Sequence, residues 1–233
     1  MAVCAGCLLP AAGWGQVPAD DRIISIVIDP QHQDLGLYWK NDKGEVFGSI
    51  QRLKEDLMGK HKRLVFAMNG GMYKTDNSPL GLFIQQQVVL APLDTASGAG
   101  NFYMKPNGVF YITNKGIAAV CPTTDLDIDD QIRFATQSGP MLLINGAFHP
   151  DLKKGSANVN IRNGVGVLPN NKLVFAMSKE PVNFYDFADF FKGMGCQNAL
   201  YLDGFVSRMY VPEKKWVQTD GNFGVIIGVT VPE

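Results

Sequence analysis

Short runs of β-branched and aromatic residues, each closed by Gly, Pro, Asn or Asp, recur along most of this chain. They constrain its fold more than any other feature, because runs of this length bounded by turn-forming residues are typical of strands joined by tight turns. We therefore predict strands at residues 23–28, 35–39, 64–68, 82–84, 108–113, 141–144, 165–168, 173–177, 199–202 and 223–231.

Helical spacing occurs in only two segments. In segment 50–57 apolar residues recur at three and four positions with charged residues between them, which predicts an amphipathic helix. In segment 184–191 aromatic residues share one helical face, Asn183 is placed as the N-cap, and Gly193 is placed to end the helix. Because the helices are few and do not alternate with the strands, we predict an α+β fold, mainly of mixed or antiparallel sheet with a few packed helices, in a single domain.

Composition and charge exclude several classes of partner. The chain has 233 residues, 46% of them hydrophobic, which is enough to form a core without disulfides. Its 21 Lys and Arg residues against 22 Asp and Glu residues give a net charge of -1. Such a balance provides no overall field for nucleic acid or anionic lipid, and no apolar run approaches the ~18 residues of a membrane span. We therefore expect a monomer with no nucleic-acid partner and no transmembrane segment.

The first 19 residues differ in character from the rest of the chain. Residues 3–14 are apolar or small, no charged residue precedes Asp20, and Val17-Pro18-Ala19 is similar to a small-residue cleavage site. We interpret 1–19 as the remnant of a signal peptide and 20–233 as the folded domain, which predicts an exported, periplasmic protein. A disordered N-terminal extension is the alternative, and lipid attachment at Cys7 is a less favoured one.

Cleavage after residue 19 would leave Cys121 and Cys196 as the remaining cysteines. An oxidising compartment would allow a disulfide between them, but the spacing does not determine whether they pair. No C-x-x-C motif follows residue 19, and the three histidines are scattered. We therefore predict no metal site and no cofactor, and the sequence leaves open a structural Ca²⁺.

Two polar motifs that contain glycine could contact an anion. In the first, Asn69 precedes Gly70 and Gly71, and successive glycines at the end of a strand permit a turn whose N–H groups point at a ligand. In the second, Ser138 and Gly139 lie between two apolar runs and could offer a hydroxyl and an amide to a phosphate or sugar. Each motif is also compatible with an ordinary turn. The second is not G-x-S-x-G, so we do not expect a serine hydrolase.

Two further motifs carry charge. Arg162 stands beside a glycine-rich entry into a predicted strand, and arginine suits bidentate binding of phosphate or carboxylate. Asp203 ends an apolar strand and is followed, after a Gly, by Ser207 and an arginine, which is a common way to bring a carboxylate to the edge of a site. The alternatives are a surface role for Arg162 and a turn-forming role for Asp203.

These motifs and three others run in one order along the chain: Asn69-Gly70-Gly71-Met72-Tyr73, Pro79-Leu80-Gly81-Leu82, Lys105-Pro106-Asn107-Gly108-Val109, Gln137-Ser138-Gly139-Pro140, Arg162-Asn163-Gly164-Val165-Gly166, Asn183-Phe184-Tyr185-Asp186-Phe187 and Leu202-Asp203-Gly204. In this order they resemble the phosphodiester glycosidase family, over roughly residues 64–230. Many relatives continue the last motif with a second Gly, where this chain has Phe205 and keeps Ser207.

The resemblance implies a hydrolase that cuts the glycosidic bond of a sugar-1-phosphodiester, of the N-acetylglucosamine-phosphate type or from a related envelope glycan. Its transition state is oxocarbenium-like, so a carboxylate near the anomeric carbon would stabilise it or activate water. Residue chemistry together with the resemblance gives these roles: Asp203 at the anomeric centre, Asn69 orienting sugar or water, Glu180 as a second carboxylate, and Gly70, Gly71, Ser138, Gly139, Arg162 and Ser207 at the phosphate.

Two other functions remain open at this point. A non-catalytic periplasmic protein that binds phosphorylated glycans would use the same Arg, Ser and Gly groups. A metal-dependent phosphodiesterase is the least favoured, because the sequence lacks the dense His and Asp clusters of a two-metal site.

Overall fold

The structure, a computed structural model, describes residues 20–129, 131–203 and 206–233. The predicted signal-peptide remnant, including Cys7, lies outside the described residues, as do Gly204 and Phe205. The strands are β1 (Ile23–Ile28), β2 (Asp34–Tyr38), β3 (Lys62–Asn69), β4 (Phe83–Gln85), β5 (Val88–Ala91), β6 (Gly108–Thr113), β7 (Ala118–Pro122), β8 (Ile132–Ser138), β9 (Met141–Ile144), β10 (Ala147–Phe148), β11 (Asn163–Val167), β12 (Leu173–Ser178), β13 (Asn198–Asp203), β14 (Met209–Val211), β15 (Trp216–Val217) and β16 (Ile226–Pro232). The α-helices are α1 (Ile50–Met58) and α2 (Phe184–Gly193).

The described strands form three sheets. The first has the order β1-β12-β11-β13-β9-β10, the second β15-β14-β3-β16-β2, and the third β5-β4-β8-β6-β7. All pairings between these strands are antiparallel. The predicted α+β class is confirmed, and of the two predicted kinds of sheet the described strands form the antiparallel kind.

One apolar core joins the three sheets. Phe175 of the first sheet meets Phe66 of the second with ring centroids 5.1 Å apart, and Phe110 of the third at 5.9 Å. All three rings belong to one buried cluster. Because strands such as β12 are buried along their whole length, they appear in the sequence as continuous apolar runs.

Both predicted helices are confirmed. The predicted apolar face of α1 is buried against β3. Asn183 caps α2, since its side-chain oxygen accepts a hydrogen bond from the Asp186 N–H at 2.9 Å. The helix ends at Gly193, and the left-handed conformation that closes many helices falls at Gly195, with φ 88°.

The sequence did not reveal several strands, and β8 is the most important of them. The sequence placed Ser138 between two apolar runs, but the structure places it, with Thr136 and Gln137, in this buried strand. Polar residues resemble a loop in the sequence, whereas here hydrogen bonds satisfy them. The Gln137 side-chain oxygen, for example, accepts from the Leu82 N–H at 2.9 Å.

The two cysteines that the structure describes are both free thiols. Burial raises the pKa of Cys121 to about 11 and that of Cys196 to about 12. Among the described residues, no helix has the length and apolar character needed to cross a membrane.

Candidate active site

A buried polar cluster lies where strands of all three sheets end. Asn69 is the last residue of β3 in the second sheet, and Ser138 is the last residue of β8 in the third. In the first sheet, Asn163 begins β11 and Asp203 ends β13, and the antiparallel register pairs these two residues directly. All four are buried, with Asp203 the most exposed at 6%. The fold thus brings together side chains that are far apart in sequence.

Hydrogen bonds close this cluster into a ring. The Asn163 Nδ2 donates to Asn69 Oδ1 at 2.8 Å and to the Asn69 carbonyl at 3.0 Å. The Asp203 N–H donates to Asn163 Oδ1 at 2.7 Å, and Asn69 Nδ2 donates to Asp203 Oδ2 at 3.3 Å. A further N–H, from Arg208, donates to Asn69 Oδ1 at 2.9 Å. Because Asn69 Oδ1 accepts two N–H groups, the Asn69 amide group must turn its NH₂ toward the carboxylate.

Ser138 and Ser207 attach this ring to the surrounding backbone. Ser138 Oγ donates to the Leu202 carbonyl at 2.8 Å, which connects the third sheet to the strand that carries Asp203. Ser207 Oγ donates to the Asp203 carbonyl at 2.9 Å. Gly139 allows close packing beside Ser138, since a Cβ there would lie 2.7 Å from the Cβ of Asn107. The two serines therefore fix the backbone on either side of the carboxylate.

The predicted glycine turn packs tightly against the second and third sheets. A Cβ on Gly70 would lie 2.6 Å from Ile227, and a Cβ on Gly71 would lie 2.6 Å from Thr136 Oγ1. The Gly70 N–H donates to the Val225 carbonyl at 2.8 Å. The Gly70 N–H is therefore used in a backbone hydrogen bond. The absence of a Cβ at both glycines lets the second and third sheets pack closely around Asn69.

Arg162 lies inside the protein, directly before Asn163. Its Nε donates to the Val182 carbonyl and its Nη2 to the Asn158 carbonyl, both at 2.8 Å. The guanidinium carbon lies 3.5 Å from the ring centroid of Phe184, and burial lowers the pKa of Arg162. Nη1 has no hydrogen-bond partner among the described residues. A side chain with 0% exposure is not the surface arginine of the alternative interpretation.

Glu180 stands apart from the cluster. It is exposed, and its charge acts on Arg22, whose pKa is raised mainly by the hydrogen bond to Asp20. Within the part of the chain that the structure describes, no hydrogen bond or ion pair joins Glu180 to Asn69 or Asp203. The structure thus brings together most of the predicted residues but leaves this carboxylate outside.

Three residues of the site were not predicted from the sequence to be functional. Asn163 appeared only as a neighbour of Arg162, although it supplies three hydrogen bonds of the ring. Arg208 contributes its N–H to the ring, while its guanidinium binds Asp220 through two contacts of 2.8 Å. Burial first, and the charge of Asp203 second, raise the pKa of the Tyr73 phenol. Asn163 and Tyr73 were signalled only by their presence within the recognised motifs, and Arg208 only by its position after Ser207.

A carboxylate held in this way can stabilise a developing positive charge or accept a proton. Among the described residues, the Asn69 amide holds its side chain and the Asn163 amide oxygen holds its backbone N–H. Among the described residues, no group of three or more His, Cys, Asp and Glu is placed to hold a metal ion. The arrangement suits reactions at an electrophilic carbon beside an oriented carboxylate.

The fold and this cluster define a phosphodiester glycosidase domain. The family model described as phosphodiester glycosidase matches residues 62–229, and the chain belongs to this family. The matched range contains the whole hydrogen-bonded ring, from Asn69 to Arg208, and the resemblance found in the sequence is confirmed.

Several proteins are similar to this chain. YigE of Escherichia coli (strain K12), an uncharacterised protein, is 37% identical over 204 residues, which cover 84% of this chain and 80% of YigE. The zebrafish N-acetylglucosamine-1-phosphodiester alpha-N-acetylglucosaminidase catalytic domain, auto-inhibited by its pro-peptide, aligns with a TM-score of 0.62 and 16% identity over 91% of this chain and 84% of that one. A Burkholderia pseudomallei K96243 protein described as exported aligns with a TM-score of 0.58 and 11% identity over 89% and 73%. The structural likenesses confirm the fold.

Proposed function

We propose that this protein hydrolyses the glycosidic bond of a sugar-1-phosphodiester, of the N-acetylglucosamine-phosphate type or from a related envelope glycan. Membership in the phosphodiester glycosidase family supports a hydrolase that acts on phosphodiester-linked sugars. The observation that carries the finer proposal is the ring of hydrogen bonds that joins Asn69, Asn163 and Asp203 where the three sheets meet.

In this mechanism Asp203 acts at the anomeric carbon. A phosphate monoester is a good leaving group, so the reaction needs little help from a general acid and depends mainly on stabilising the oxocarbenium-like transition state. The hydrogen bond from Asn69 Nδ2 fixes the direction of the Asp203 carboxylate, and the Asn163 contact fixes its backbone. A carboxylate that is oriented before the substrate arrives needs no reorganisation during the reaction. Asn69 is buried, so in this proposal it orients the sugar or the attacking water through the carboxylate that it holds.

The residues that the sequence assigned to the phosphate, together with Arg208, fall into two groups, one beside the carboxylate and one behind it in the protein interior. Ser207 and Arg208 lie beside the carboxylate, and the Arg208 side chain is 32% exposed, so a ligand can reach its guanidinium. The other residues predicted at the phosphate are buried or closely packed, and we assign them to support the site from within: Arg162, Ser138, Gly139, Gly70 and Gly71. For Arg162 this means that its contacts to Val182 and Asn158 hold the segment before Asn163, while its charge adds to the positive potential of the site. Glu180 has no part in the ring, and we assign the chemistry to Asp203.

The compartment belongs to the proposal as well. The apolar segment 3–14 supports export to the periplasm, where phosphorylated envelope glycans would be accessible. The similar Burkholderia protein is itself described as exported, which agrees with this location.

The test is to incubate the purified protein with a panel of sugar-1-phosphodiesters in oxygen-18 water and to follow the products by phosphorus and proton NMR. Label in the free sugar is expected, because water would attack the anomeric carbon. Label in the phosphate would instead indicate a phosphodiesterase that cuts the P–O bond. Saturable binding without turnover would point to a binding protein for phosphorylated glycans.

Asp203→Asn should abolish turnover and leave the fold intact, because the amide keeps the volume of the carboxylate but loses its charge. The matched control is Asp42→Asn, a change at an exposed loop residue. An Asp203→Asn protein that retains activity, with a circular dichroism spectrum like that of the unchanged protein, would contradict the assignment.

A further inference from the structure

A cavity of about 470 Å³ opens beside the hydrogen-bonded ring. Its walls are segment 159–161, the end of β12 with the residues that follow it, Ser207 and Arg208, and Trp216 of β15. The walls therefore come from the first and second sheets, which also supply Asp203 and Asn69. The mechanism described above uses only the edge of this space.

The cavity begins at Ser207 and Arg208, which contact Asp203 and Asn69 respectively. Ser207 Oγ donates to the main-chain carbonyl of Asp203, and Arg208 contacts Asn69 through its backbone N–H. If the sugar to be released lies at the Asp203 carboxylate and the phosphate lies at Ser207 and Arg208, the next group of the substrate reaches the cavity. That group is the alcohol side of the phosphodiester, the aglycone.

Trp216 gives the cavity a flat aromatic wall. Its ring is half-buried and packs against the main core, and its Nε1 is shielded from water and has no hydrogen-bond partner among the described residues. Met177 and Ile161 add apolar surface, and Gln218 adds an amide. A wall with one aromatic face and a few polar groups suits a sugar ring.

The ionisable residues that line the cavity are both basic, and one of them, Arg208, is paired with Asp220. Lys179 and Arg208 are the ionisable residues of its lining, which contains no Asp or Glu. Arg208 uses three N–H groups on Asp220 and on the Ser207 carbonyl, fewer than a guanidinium carries. Lys179 makes no ion pair within 4.0 Å among the described residues, and Asp20, whose pKa its charge helps to lower, is bound by Arg22 at 2.9 Å. The ammonium group of Lys179 is therefore available to an anionic ligand.

We infer that this cavity is an aglycone subsite that selects an acidic sugar, with Trp216 stacking on the ring and Lys179 binding a carboxylate or phosphate on it. This inference rests on the proposed function, because it places the aglycone relative to the scissile bond. It adds a preference that the hydrogen-bonded ring alone does not create, since in the proposed mechanism the ring acts only on the released sugar and the adjoining phosphate.

The experiment compares two substrates that differ in a single group. Both are N-acetylglucosamine 1-phosphodiesters, one made with methyl glucoside and the other with methyl glucuronide. The expected kcat/KM is about tenfold higher for the glucuronide, mainly through a lower KM, which is the size of one charge-assisted hydrogen bond. Lys179→Gln should remove this preference, and Lys43→Gln, a change of an exposed lysine in another loop, should keep it. Trp216→Leu should raise KM for both substrates with little change in kcat.

Equal kcat/KM for the two diesters, or a preference that survives in Lys179→Gln, would overturn the inference. If neither diester is cleaved, the proposed function fails by itself, and calorimetric titration with the same uncleaved diesters decides the subsite. Tighter binding of the glucuronide that is lost in Lys179→Gln would support it. Equal affinity for both, or no binding, would refute it.

Discussion

The side chain of Asn163 is the connection whose removal should be most informative. Asn163→Ala deletes three buried hydrogen bonds, two to Asn69 at 2.8 and 3.0 Å and one from Asp203 at 2.7 Å. At about 1 kcal/mol each, the free energy of unfolding should fall by about 3 kcal/mol. For a chain of this length that corresponds to a fall in Tm of about 6 to 12 °C.

The same change should impair activity beyond its effect on stability. Without Asn163, neither Asn69 nor the backbone of Asp203 is held in place, and a small displacement of a catalytic group costs about a hundredfold in rate. Assays well below the lowered Tm should therefore show kcat reduced about a hundredfold on sugar-1-phosphodiesters, with a smaller effect on KM.

Differential scanning calorimetry gives Tm, and product NMR gives kcat. The matched control is Asn170→Ala, since Asn170 is an exposed turn residue outside the ring. A variant Asn163→Ala whose Tm lies within about 2 °C of the unchanged protein, or whose kcat is unchanged, would show that the ring does not hold the carboxylate.

Three other predictions concern groups around the site and in the core. Gly71→Ala should destabilise the protein by about 1 to 3 kcal/mol in chemical denaturation, because the new Cβ would lie 2.6 Å from Thr136 Oγ1. Adding Thr136→Ala should recover part of this loss of stability. If the effects of the two changes were fully additive, the close contact would be contradicted. Arg162→Met should lower kcat on phosphodiesters and on neutral aryl glycosides alike, because the buried guanidinium supports Asn163; a loss confined to anionic substrates would instead assign Arg162 to the phosphate. His149 is 1% exposed, and burial lowers its pKa below 6.5. The unfolded chain therefore binds the proton more readily than the folded protein does. The free energy of unfolding should fall as the pH drops below 6.5. Melting curves from pH 7.5 to pH 5 should show a smaller acid-induced fall in Tm for His149→Gln than for the unchanged protein. The control is His32→Gln, a change at an exposed histidine. Equal dependence of Tm on pH in His149→Gln and the unchanged protein would show that His149 is not the cause.

Local sequence alone determined the strands and helices that are uniform in character. The runs that became β1, β6 and β9 were predicted with their observed bounds, because each is apolar and ends at turn-forming residues. Helix α2 was predicted from its aromatic face and its N-cap, which are both local signals. The order of the motifs was also sufficient to identify the family.

Tertiary structure alone decided which of the polar residues meet. Asn69 and Asn163 are 94 positions apart, and Asn69 and Asp203 are 134 positions apart, so no local pattern connects them. Their meeting follows from strand register, which pairs Asn163 with Asp203 across β11 and β13 and brings the end of β3 to the same junction. Burial was equally a matter of the whole fold. Arg162 and Glu180 both carry charge in the sequence, yet packing against Phe184 encloses the first, and the second stays in solvent because no neighbouring element covers it.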